Sequence, residues 1–195
     1  MKYYVVLLFL TFSLCGNAQQ SYKYEKEARI EKKAFPKNAL ALLEKTLPEK
    51  VKKVKFYKES DSVKVSYETK LKFKKRKYSI EFSEEGVLED VEVTIKKKHI
   101  PPKTLEKFEQ YLNNNYRSFR FKKIQRQYNN STEIDAESVV ENAFSNDLNS
   151  AFLYEIVAEV KTAKKRYFIE ITFTKDGDVT LARTIIQSSY DHILY

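Results

Sequence analysis

Few residues in this 195-residue chain could do nucleophilic or acid–base chemistry: it holds two histidines, His99 and His192, and one cysteine, Cys15. General acid–base catalysis needs titratable groups of tuned pKa converging in a cleft. His99 stands just before Pro101 at a helix entry and His192 lies among the last residues, so both read as solvated loop histidines. Ser188, Ser189, Asp191 and His192 supply a hydroxyl, a carboxylate and an imidazole, but they crowd one short stretch with no nucleophile elbow or oxyanion hole. There is no His-x-x-x-His spacing and no cysteine pair to hold a metal. Glu84 and Glu85 sit in a turn, where solvent leaves carboxylates ordinary. The expectation is a protein without catalytic residues, metal or cofactor.

Lysine is the residue type whose spacing carries a chemistry. Lys64, Lys70, Lys72 and Lys74 alternate with Val63, Val65, Tyr67, Leu71 and Phe73, which puts the ammonium groups on one side of a strand. They belong to a block from Lys50 to Lys77 with twelve basic residues against three acids, Glu59, Asp61 and Glu68. From Gln127 to Val160 the chain has seven acids and no lysine or arginine, although its formal charge is +9. These four lysines are the candidate partner-binding face, suited to a protein or peptide of acidic character. The same lysines also fit a wetted sheet face that resists aggregation, an anionic envelope ligand such as lipid or glycan, a membrane surface, and pairing of the basic and acidic blocks between copies. Nucleic acid is not expected, because Tyr57, Tyr67, Phe73 and Tyr78 mostly fall on the buried parity of their strands.

The elements that must position these lysines come as an echo. Phe35-Pro36 followed by Leu40, Leu43 and Leu47 is matched by Ile100-Pro101 followed by Leu105, Phe108 and Leu112, every pair 65 positions apart. The spacing puts each trio on one helix face, with proline in the first turn. Tyr78, Ile80 and Phe82 lead through Glu84-Glu85-Gly86 to Val91, Val93 and Ile95. Tyr167, Ile169, Ile171 and Phe173 lead likewise through Lys175-Asp176-Gly177 to Val179 and Leu181. The predicted fold is α+β: a tandem duplication of a helix plus about four antiparallel strands, with helices on one face of the sheet and a bare polar face opposite. The halves differ at a point where the first has a short turn, near Glu59-Ser60-Asp61. The second has an insert at about 129–149, in which Asp135 caps a short helix carrying Val139, Val140, Ala143 and Phe144. The insert reads as a plain surface excursion.

The first 18 residues have the layout of a secretory signal: Lys2, an apolar run from Val5 to Leu14, and Gly16-Asn17-Ala18 at the cleavage position. The run is too short to span a bilayer. Cleavage after Ala18 removes Cys15, and Leu14 is larger than the residue usually found before a lipidated cysteine, so lipid anchoring is not expected. The resulting plan is 1–18 signal peptide, 19–34 N-terminal tail, 35–98 first repeat, 99–187 second repeat, and 188–195 C-terminal tail, in an exported protein that is periplasmic or secreted.

With its export signal, doubled helix-plus-hairpins unit, and Tyr78-Ser79-Ile80-Glu81-Phe82 run closing at Gly86, the chain resembles the PepSY-like, or β-lactamase-inhibitor-like, exported bacterial proteins. The resemblance covers roughly Phe35 to Ile186. It implies two tandem units building one antiparallel sheet with helices behind it, and action by binding proteins, in an inhibitor-like or chaperone-like role. It brings no catalytic residues with it.

Overall fold

The structure is a computed structural model and describes residues 21–23, 26–61, 64–131 and 134–186. The signal peptide, Cys15, Val63 and the group Ser188, Ser189, Asp191 and His192 lie outside the described residues. The fold is mixed α+β and mostly strand. Its order is β1 (Ser21–Lys23), β2 (Lys26–Ile30), α1 (Lys37–Thr46), β3 (Lys52–Asp61), β4 (Lys64–Phe73), β5 (Arg76–Ser83) and β6 (Leu88–Thr94). Then come α2 (Pro102–Asn115), β7 (Ser118–Asn129), α3 (Ala136–Ser145), β8 (Leu153–Lys161), β9 (Arg166–Thr174) and β10 (Val179–Ile185). All strands join one ten-stranded sheet, ordered β1-β10-β9-β8-β7-β6-β5-β4-β3-β2. Every pairing is antiparallel except that of β1 with β10.

Local chemistry accounts for the element boundaries. Pro36 and Pro101 cap α1 and α2, each with φ preset near the helical value and a carbonyl that accepts the first helical N–H, from Leu40 and Leu105. Asp135 caps α3 by accepting from the Ser138 amide, and Asn146 ends the helix in the left-handed region at φ 60°. The turns after β5 and β9 share one hydrogen-bond pattern: Gly86 N donates to Ser83 O and Gly177 N donates to Thr174 O. Both glycines have positive φ, +79° and +94°, and lie so close to Pro36 and Lys107 that a Cβ would clash or nearly so. Each hairpin turn is thereby wedged under the start of one long helix.

The helices meet one sheet face. Phe35, just ahead of α1, packs its ring on Phe56, Tyr67 and Phe82. Phe108 of α2 lies between Tyr154 and Phe173, 5.3 and 4.2 Å away. Phe144 of α3 stacks on Tyr78 at 4.4 Å. The predicted surface excursion is therefore corrected: Val139, Val140, Ala143 and Phe144 are buried and belong to the main core. The reason is that the first half alone leaves Tyr78 and Phe73 uncovered, and α3 supplies the missing apolar face.

Two further expectations are revised. Glu59-Ser60-Asp61, near which a short turn is expected, are themselves the end of β3 and pair with β4 through Glu59↔Ser66, Ser60↔Val65 and Asp61↔Lys64. Residues of the 19–34 stretch, read as a tail, supply both edge strands of the sheet and a 3₁₀ turn at Lys32–Ala34. A second 3₁₀ turn lies at Lys97–His99, 65 positions on.

The edge strands determine the shape. Flat, a ten-stranded sheet would hold its edges roughly 43 Å apart, at about 4.8 Å per strand. Yet β1 and β2 are opposite edges of the sheet and only residues 24 and 25 separate them. Three trans peptide units span at most about 11 Å. The sheet must curl until its edges nearly meet, with the helices outside and the polar face within.

Candidate binding site inside the curled sheet

The polar face is therefore an interior. A cavity of about 430 Å³ is lined by side chains from both edges and the middle of the sheet, including Lys23, Glu27, Asp90, Glu92, Glu155 and Glu170, and by no hydrophobic residue. Strand alternation delivers the acids: Glu81 between Ile80 and Phe82, Asp90 and Glu92 around Val91, and Glu170 between Ile169 and Ile171. The register then sets them side by side, Glu68 opposite Glu81 and Glu81 opposite Asp90. Glu92 faces Gln127, Gln125 faces Glu155, and Arg183 faces Glu170. The expectation of a bare, solvated polar face is corrected in this respect: Glu68, Asp90, Glu92, Gln125, Glu155 and Glu170 are all buried.

The buried charges are handled in two ways. Glu170 is 1% exposed and receives Lys23 Nζ at 2.5 Å and Arg183 Nε at 3.1 Å. Burial opposes its ionisation, but Lys23 and Arg183 outweigh burial and hold its carboxyl below the usual range. Glu68 behaves alike: burial opposes ionisation, and Lys70 with hydrogen bonds from Glu59 and Ser79 brings the pKa down. In return Lys70 is pushed up by Glu68 and Glu27 against the effect of its own burial. The other acids go the opposite way. Burial, then the neighbouring Asp90 and Glu92, raises Glu81 well above the carboxylate range. Burial and Glu92 do the same to Asp90, and burial with Glu170 and Glu92 to Glu155. Burial also raises Glu92, against the pull of Lys123 and Lys23.

The predicted lysines part company. Lys70 is spent inside, bonded to Glu27 and, at 3.0 Å, to Glu68. Lys64 pairs with Glu89 at 2.7 Å at the other end of the strand. Lys74 leaves the strand altogether: it opens the turn to β5, with φ 44° followed by 66° at Lys75, and its ammonium lies 5.1 Å over the Phe73 ring. Lys72 stays on the strand, exposed and without an ion pair among the described residues, directly opposite Lys77 on β5 and Lys52 on β3. With Lys53, Lys55 and Lys123, Lys72 and Lys77 line a second cavity of about 450 Å³, at the end of the curled sheet away from Lys64 and Glu89. One end of the interior is thus rimmed by lysine, while its middle is acidic. The interior acids and Lys77 escaped the sequence reading because the alternation shows which face is polar, not whether that face is enclosed.

No protein-family model matches the sequence, and no curated protein matches it. Among solved structures, the chain is similar to a DUF2874 family protein from Bacteroides uniformis, at 14% identity and a TM-score of 0.51 over 77% of this chain and 89% of that one. It is also similar to a BLIP-like protein from Bacteroides fragilis, at 14% identity and a TM-score of 0.48 over 77% and 86%. At 14% identity the first likeness speaks for the fold alone.

Proposed function

We propose that this is an exported, non-enzymatic binding protein that takes an acidic segment of a protein or peptide at the lysine-rimmed end of its curled sheet. The observation that carries this reading is the pairing of Lys72 directly against Lys77, both exposed, with no carboxylate bonded to either among the described residues. Like charges opposite each other across a strand pair are destabilising. A fold that neutralises Lys70, Lys64 and Lys23 with its own carboxylates yet leaves this pair open keeps a site for charge supplied from outside. The resemblance to PepSY-like proteins, and the descent of the two halves from one duplicated unit, belong to the same reading. A lipid carrier is disfavoured, since the acidic cavity offers an acyl chain no apolar wall.

The test is fluorescence anisotropy with a labelled glutamate-rich peptide. The parent protein is expected to bind with an affinity that falls as salt rises. Lys72→Glu with Lys77→Glu should weaken binding at least about tenfold, some 1.4 kcal/mol. Failure of the parent to bind at low ionic strength, or equal binding by the reversed variant, would reject the reading.

A further inference from the structure

Two carboxylate triads line the interior, Glu27–Glu59–Glu68 and Glu81–Asp90–Glu92, and in each a set of oxygens lies within 4.8 Å of one another. The protein fills the first with its own cation, since the Lys70 ammonium bonds both Glu27 and Glu68. No lysine or arginine among the described residues forms an ion pair with Glu81, Asp90 or Glu92. The second triad also holds an orphan. Asp90 is 7% exposed, and its Oδ2 accepts from Gln127 Nε2 at 2.9 Å, but its buried Oδ1 has no hydrogen-bond partner. Buried polar atoms are rarely left so without a reason. Glu92 is meanwhile held in place by Gln125, whose Nε2 donates to Glu92 Oε2 at 2.5 Å.

We infer that Glu81, Asp90 and Glu92 form a binding site for a hard divalent cation, calcium by its ligand chemistry. Calcium takes oxygen ligands at 2.3–2.6 Å in loose geometry, so oxygens sharing one ion lie no more than about 5 Å apart, as these do. The triad offers no nitrogen or sulfur for a transition metal. The inference does not depend on a protein partner.

The experiment is a calorimetric titration of the chelator-treated protein with calcium chloride, alongside its thermal midpoint. The parent is expected to bind one ion with a dissociation constant on the order of 10⁻⁴ M and to melt higher with calcium. Asp90→Asn and Glu92→Gln, near-isosteric changes that relieve repulsion, should each bind at least about tenfold more weakly, and Glu27→Gln should bind like the parent. Either of the two variants suffices if the other does not fold. The inference is overturned if ~10 mM calcium gives neither saturable heat nor a shift in the parent, if the folded variants bind as tightly as the parent, or if magnesium binds as tightly as calcium.

Discussion

Lys23, on the first strand of the sheet, places its ammonium 2.5 Å from Glu170 Oε2 on β9, inside the curl. Arg183 holds the other oxygen. Removing one cation leaves the other in place, so Lys23→Met and Arg183→Met should each destabilise modestly. The double variant strands a carboxylate that is 1% exposed, and a loss of about 3–5 kcal/mol in urea unfolding is expected.

Phe144 lies flat on Tyr78, with the ring planes 3° apart, and meets Phe73 edge-on. Phe144→Ala should cost about 3–5 kcal/mol, the range for truncating a buried aromatic ring. Near-native stability would return α3 to the status of a surface excursion.

Glu155 carries a pKa raised by burial first and by Glu170 and Glu92 next. The folded chain therefore keeps a proton that the unfolded chain releases, and stability falls as pH rises from the ordinary carboxylate range through the raised value. Glu155→Gln should be more stable than the parent at about pH 8, with the advantage shrinking toward about pH 4. Glu68 and Glu170, with lowered pKa, act in the opposite sense: their contribution is present above the ordinary range and is lost as acid protonates them. Urea midpoints measured across pH for parent and variant check both signs.

Lys77→Glu turns a like-charge cross-strand pair into an opposite one. Stability should rise by about 0.2–1 kcal/mol while affinity for a glutamate-rich peptide drops. A single residue changed this way separates folding from binding, because the two measurements are expected to move in opposite directions.

The long helices, the glycine turns and the capped third helix could all be read before the structure, because proline, Asp135 and the apolar spacing act locally. What lies at long range could not. Val139 to Phe144 announce an amphipathic helix, but nothing local says that the face meets Tyr78, some 66 residues earlier. β1 and β2 are short and rich in charge, so no alternation marks them as strands. A clue was nonetheless present: Lys32-Lys33-Ala34 ahead of Phe35-Pro36 mirrors Lys97-Lys98-His99 ahead of Ile100-Pro101. Of the candidate site, Lys72 was identified by strand parity, whereas its partner in repulsion, Lys77, and the acids of the interior depend on register and curvature.

The parallel pairing of β1 with β10 has a kinetic corollary. A ribosome delivers β1 before any of the other strands, yet its hydrogen-bonding mate is the tenth, so the opening segment must wait for nearly the whole polypeptide. Contacts this distant along the chain make for slow folding. Until they form, two raw sheet margins stand exposed, inviting neighbour-to-neighbour stacking. Ring closure is thus expected late in folding, and Lys26, Glu27 and Arg29 of β2 place charge on one of those margins during the delay.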